Sequence, residues 1–133
     1  MSTAATAGKR ILLVEDDRFL QRACGIAMRR RGFTVALANN GLEALEAVRR
    51  EVPDLILLDM LMPKLSGVET LRALRADPAL RDIPVLILSN SSREQDITEV
   101  TRLGIVGYWV KSNVSLHQLG ERVESFFARD GDA

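Results

Sequence analysis

The sequence predicts an α/β fold: a doubly wound, five-stranded parallel sheet with helices on both faces. Three observations lead there. The runs Ile11–Val14, Leu55–Leu58, Val85–Leu88 and Val106–Val110 are almost continuously apolar, as strands buried on both faces are. Segments with helical spacing of apolar residues alternate with the strands, without repeat or linker, and such alternation requires parallel strands joined by crossovers. Each run also stops at polar groups: Glu15-Asp16-Asp17, Asp59, Ser89 and Lys111 respectively. In a parallel sheet these groups emerge at one edge, where open α/β sheets place their sites. A chain of 133 residues is one domain, long enough to bury its core. That domain is expected over 9–128, between flexible tails at 1–8 and 129–133.

Ile11–Glu15 reads as the first strand, and Asp17 as the cap of a helix whose inner stripe is Leu20, Ala23, Cys24, Ala27 and Met28. Gly32 ends that helix, and Phe33–Ala38 is the second strand. Asn39-Asn40-Gly41 turns into a helix with Leu42, Ala44, Leu45 and Val48 inward, closed by Pro53. Asp54–Asp59 is the third strand. Ser66-Gly67-Val68-Glu69 then has capping-box spacing and opens a helix with Val68, Leu71 and Leu74 inward, ending before Pro78. Val85–Ser89 is the fourth strand. Ser92 is placed to cap a helix carrying Ile97 and Val100, stopped by Gly104. Val106–Val110 is the fifth strand. Ser115-Leu116-His117-Gln118 opens the last helix, with Leu116, Leu119, Val123 and Phe126 inward.

Composition narrows the function classes. Hydrophobic residues make up 47% and charged residues 27%, which is the balance of a globular chain rather than a disordered one. Lys and Arg total 18 against 18 Asp and Glu. With no net charge, neither nucleic acid nor membrane is an expected direct partner. The cluster Arg29-Arg30-Arg31 precedes Gly32 and suits a helix C-terminus. Cys24 is the only cysteine, so it is expected to pack as a small buried hydrophobe, without disulfide or thiolate metal site. The N-terminal segment lacks the apolar stretch of a signal peptide, and the expected setting is the cytoplasm.

The charges at the sheet edge pose a chemical problem. Where strand order in a doubly wound sheet reverses between the first and third strands, side chains following those strands share one crevice. Glu15, Asp16 and Asp59 meet there, and packed carboxylates need a neutralising cation, lysine or proton. Three carboxylates suit a hard divalent ion such as Mg²⁺, and with Lys111 the charges sum to zero. Helix capping accounts for Asp17 and is open to Asp16. It does not account for Asp59, because Met60-Leu61-Met62-Pro63 separates it from a helix already capped by Ser66.

Five elements in order then carry a resemblance. They are Ile11-Leu12-Leu13-Val14-Glu15-Asp16-Asp17, the stretch from Asp54 through Asp59 to Pro63, Gly67, Pro84 through Ser89, and Gly107-Tyr108-Trp109-Val110-Lys111. Together they resemble the receiver domains of bacterial two-component response regulators over Arg10 to Phe127. The resemblance implies the flavodoxin-like strand order 2-1-3-4-5. It implies that Asp59 accepts a phosphoryl group from a phosphohistidine on a sensor histidine kinase or histidine phosphotransfer protein. Mg²⁺ (or Mn²⁺) would be held by Glu15, Asp16, Asp59 and the Leu61 carbonyl, with Glu15 acting through water. Ser89 would hydrogen-bond the phosphoryl group, Lys111 would pair with it, and Tyr108 would swing inward as the switch aromatic. The output would be altered binding of a downstream protein.

Several residues also have plainer readings. Tyr108 is also readable as a static half-buried aromatic, Trp109 as core on the opposite face by strand alternation, and His117 as a solvent-facing residue. Ser112 and Asn90 depart from the family pattern, which has a proline after the lysine and a small residue after the serine. A cis bond before a non-proline costs about 2.5–4 kcal/mol, so the Lys111–Ser112 loop either retains that strain or runs trans. Leu61 and Ser91 flank the site, and an apolar Leu61 is expected to hinder hydrolysis of the acyl phosphate. A nucleotide-binding relative of the fold is disfavoured, because Glu15-Asp16-Asp17 would repel phosphate. An aspartyl phosphatase is disfavoured because Leu61 occupies the acid–base position. The alternative is an interaction module with the receiver fold that does not depend on phosphorylation. Nothing after Phe127 is long enough for an output domain, so the sequence reads as a stand-alone receiver or one cut from a longer regulator. Self-association through the last strand and helix is compatible with the sequence but not argued by it.

Overall fold

The computed structural model describes residues 8–90 and 93–132. The elements run β1 (Arg10–Val14), α1 (Arg18–Arg30), β2 (Thr34–Ala38), α2 (Gly41–Arg50), β3 (Leu55–Leu58) and α3 (Gly67–Ala76), then β4 (Val85–Ser89), α4 (Glu94–Leu103), β5 (Gly107–Val110) and α5 (Leu116–Asp132). A 3₁₀ turn, Lys111–Asn113, joins β5 to α5. All strand pairs are parallel, and the order is β2-β1-β3-β4-β5, as expected.

Strand alternation sorts the core into two layers. Leu12, Val14, Ile56, Leu58, Val85 and Ile87 face Ala44, Leu45 and Val48 of α2, Leu71 and Leu74 of α3, and Val100 of α4. Ile11, Leu13, Leu55, Leu57, Leu86 and Leu88 face Cys24 and Met28 of α1 with Leu119, Val123 and Phe127 of α5. Tyr108 packs on the first layer and Trp109 on the second, so they do point to opposite faces. Trp109 also carries the Arg122 guanidinium 4.8 Å from its ring centroid.

Local chemistry places the helix ends. Asp17 Oδ1 accepts from the N–H groups of Phe19 and Leu20 at 3.0 and 3.1 Å, and Asn40 Oδ1 accepts from Glu43 N–H at 2.9 Å. Both expected capping boxes form, between Ser66 and Glu69 and between Ser115 and Gln118. Gly32 and Gly104 have φ of +95°, the conformation that lets a chain leave a helix without a Cβ penalty. The arginines at the end of α1 do more than face its dipole. Arg29 donates to the Val35 carbonyl at 3.1 Å, and Arg31 pairs with Glu124 and donates to the His117 carbonyl at 3.3 Å, bracing α1 against β2 and α5.

Several expected boundaries and faces shift. β2 starts at Thr34 and β3 at Leu55, because Phe33 turns into the second core layer and the Asp54 carboxylate accepts from Arg10 N–H at 2.7 Å. β5 starts at Gly107, after Val106 N–H donates to the Val85 carbonyl at 2.8 Å. The N-cap of α4 is Arg93, without a side-chain cap bond, and the expected cap Ser92 lies outside the described residues. Leu42 and Leu116 are exposed, each sitting in the first turn of its helix. In α5, Phe127 is fully buried and Phe126 only partly. α5 continues to Asp132, beyond position 128.

Candidate functional site

Register builds the site. Val14 pairs with Ala38 on one side and Leu58 on the other. Glu15 N–H then donates to the Ala38 carbonyl at 3.0 Å and Asp59 N–H to the Val14 carbonyl at 3.1 Å. The two acids therefore leave neighbouring strands at the same height. Glu15, Asp16 and Asp59 converge so that one carboxylate oxygen from each lies within 4.8 Å of the others. Glu15 and Asp59 are buried, whereas Asp16 faces solvent.

Lys111 reaches the cluster from the end of β5, forming an ion pair with Glu15 and lying 3.2 Å from Asp59 Oδ2. No peptide bond of the described chain is cis, so the Lys111–Ser112 loop runs trans, and a 3₁₀ turn is enough to deliver the ammonium. The Asp59 carboxylate also accepts a long bond from Leu61 N–H, at 3.4 Å. The Leu61 side chain points out and is 59% exposed. Ser89 ends β4 fully buried, Asn90 beside it is exposed, and Ser91 lies outside the described residues. Tyr108 is half-buried against the core layer of α2, α3 and α4.

The electrostatics match the crowding. Burial raises the Glu15 pKa above its ordinary 4.5, and the neighbouring Asp59 charge adds to the rise; the hydrogen bonds from Lys111 and from Asp17 N–H offset only part of it. For Lys111, burial is the largest single influence and opposes the charge, but the Glu15 hydrogen bond and the Asp59 and Glu15 charges together outweigh it and raise its pKa above 10.5. Burial pushes the Cys24 thiol up to about 11. Cys24 is therefore an inert core residue, because the thiolate is the reactive form.

Three carboxylates against one ammonium leave two negative charges. That surplus, on oxygen donors with one carboxylate open to solvent, fits a hard divalent cation that keeps several waters. Receiver domains bind Mg²⁺ at an acidic pocket of this kind.

Gly67 bears directly on the site. Its N–H donates to the Met60 carbonyl at 3.0 Å. A Cβ there would lie 2.4 Å from the Asp59 carbonyl oxygen and 2.7 Å from the Met60 Cα. Both contacts are backbone and cannot swing away. Gly67→Ala is expected to push the Asp59–Met60 segment out of place and to lower stability by about 1–3 kcal/mol, as overpacking does, measurable as a lower urea midpoint.

Sequence reading passed over one polar residue, Gln21. It is buried on α1, three residues before Cys24 and seven before Met28, and its amide bonds the Glu15 carbonyl at 2.9 Å. A glutamine at an apolar-stripe position was the available signal.

Comparison with known proteins agrees with this geometry. The family described as response regulator receiver domain matches residues 11–124. The DNA-binding response regulator MtrA of Mycobacterium tuberculosis is 34% identical over 127 residues, 96% of this chain and 54% of MtrA. The chain spans between a third and about half of the length of the curated relatives it matches. Among solved structures, the chemotaxis protein CheY4 of Vibrio cholerae superimposes with a TM-score of 0.82 at 24% identity, over 90% of this chain and 98% of that one, which speaks to the fold alone. The phosphorylated cyanobacterial phytochrome response regulator RcpA superimposes with a TM-score of 0.77 at 36% identity, over 90% and 91%. With the family match running through nearly every element of the fold, the chain belongs to the response regulator receiver domains.

Proposed function

We propose that Asp59 is the phosphoacceptor of this receiver, taking a phosphoryl group from a phosphohistidine on a sensor histidine kinase or histidine phosphotransfer protein. The observation that supports this best is a buried carboxylate with an ammonium 3.2 Å away, in a cluster of three acids. A carboxylate is a competent nucleophile for acyl-phosphate formation. One Asp59 oxygen attacks phosphorus, the P–N bond of the donor breaks, and the imidazole leaves as the new P–O bond forms.

Such transfers need in-line positioning and charge neutralisation more than covalent machinery. Glu15, Asp16, Asp59 and the Leu61 carbonyl would hold Mg²⁺ (or Mn²⁺), which supplies neutralisation of the phosphoryl oxygens when bound. Lys111 pairs with the transferred group, and the Ser89 hydroxyl donates to it. Adding nearly two negative charges beside Ser89 favours a loop arrangement that reaches the phosphate. The response is a population shift in α4, β5 and α5, with Tyr108 moving inward to a new partner-binding surface.

Intact mass after incubation with acetyl phosphate tests the reading. A single phosphoryl adduct that forms with Mg²⁺ and not with EDTA is expected. Its absence in both would favour the phosphorylation-independent interaction module. The exposed, apolar Leu61 offers no group to orient attacking water, so the adduct is expected to decay over many minutes; decay in seconds would contradict that role.

A further inference from the structure

Asp16 is the solvent-facing member of the acid cluster, and no described residue donates a hydrogen bond to its carboxylate. Its aim is therefore set by its backbone. The peptide leading into Asp16 carries the Glu15 carbonyl, which accepts from Gln21 Nε2 at 2.9 Å. The same nitrogen lies 3.2 Å from the Ala38 carbonyl and 3.0 Å from Asn39 Oδ1. Asn39 donates through its backbone N–H and its Nδ2 to Glu43 Oε1, both at 2.9 Å. All three atoms around Nε2 are acceptors, so the position calls for a hydrogen-bond donor; a carboxylate or thioether would face them without a bond. Gln21 is 8% exposed, and it joins the ends of β1 and β2 to the start of α2 directly behind the acids.

We infer that Gln21 is a positioning residue of the cation site: it fixes the Glu15–Asp16 peptide and so holds the Asp16 carboxylate against Glu15 and Asp59. It touches no cation and no phosphoryl group. The inference rests on the reading of the acid cluster as a divalent-cation site. Supporting partners of this kind matter because a ligand that must be re-aimed at each binding event loses affinity.

Calorimetric titration of the unphosphorylated chain with Mg²⁺ tests it without reference to phosphorylation. The wild type is expected to bind one ion, and Asp16→Asn to lose that binding. Gln21→Met keeps the volume and removes the donor, and it should raise the Mg²⁺ Kd about tenfold. Gln21→Leu, a second donor-free variant, should do the same. Cys24→Ala, one turn further along α1 in the core, should lower the urea midpoint and leave the Kd unchanged. Wild-type affinity in both Gln21 variants would overturn the inference. So would an equal loss in Cys24→Ala, because loosening α1 would then suffice. No binding by the wild type would overturn the cation-site reading itself, and this inference with it.

Discussion

Asp59→Asn is expected to reduce phosphoryl adduct formation from acetyl phosphate by at least about a hundredfold, to below detection by intact mass, while the chain stays folded. The amide nitrogen is not a nucleophile and the amide oxygen is a poor one, so the bond-forming group is lost outright. The change is nearly isosteric, and Asp59 is only 6% exposed, so the surrounding packing is retained. The variant also removes one of the two carboxylates that Lys111 faces, leaving a neutral Glu15–Lys111 pair and a weaker site for a divalent cation. Far-ultraviolet circular dichroism should match the wild type. An adduct that persists would transfer the acceptor role to Asp16, the cluster's solvent-facing carboxylate.

Lys111→Met should destabilise the metal-free protein by about 3 kcal/mol at neutral pH, because it leaves two buried carboxylates without their ammonium. The loss should depend on pH in a set direction. Burial already raises the Glu15 pKa above 4.5, and Lys111 supplies two of the influences that hold it down, a hydrogen bond and a charge. Without them the Glu15 pKa rises further. A carboxyl group whose folded pKa is raised favours the folded state fully below its unfolded value, and that contribution is lost as pH climbs through the folded value. The penalty should therefore be small near pH 4.5 and grow toward neutrality. Lys111 itself does not contribute to this window, since its raised pKa keeps it charged to above 10.5. Urea unfolding with EDTA at pH 5 and pH 7.5 measures the effect. Added Mg²⁺ should narrow the gap, because a divalent ion can neutralise the acids that the ammonium has left. A loss equal at both pH values would show that Lys111 acts through its packed hydrocarbon stem and not its charge.

Much of this site was legible in the chain itself. Glu15, Asp16, Asp59, Ser89 and Lys111 each follow a strand-like apolar run, and parallel pairing forces such residues to one edge. The caps were legible for the same local reason: Asp17, Ser66 and Ser115 each satisfy backbone N–H groups within four residues of themselves. Residues whose fate depended on distant partners were misread. Leu42 and Leu116 look apolar in their own helices, but both stay exposed at the first turn. Phe33 fits the β-strand pattern, yet it leaves the strand to pack against Phe127 at 5.6 Å between ring centroids.

The amino-acid sequence alone determined the element order, the parallel sheet and the set of charged groups at its edge, because periodicity, caps and strand-terminal residues act over short spans of chain. Only the tertiary structure decided which acid is solvent-facing, that Lys111 pairs with Glu15 as well as Asp59, that the loop after it is trans, and that Gln21 stands behind the cluster. Those outcomes turn on register and burial, which bring together groups 96 residues apart in the case of Lys111 and Glu15. Electrostatic and hydrogen-bond energies follow distance in space, and distance along the chain does not report it.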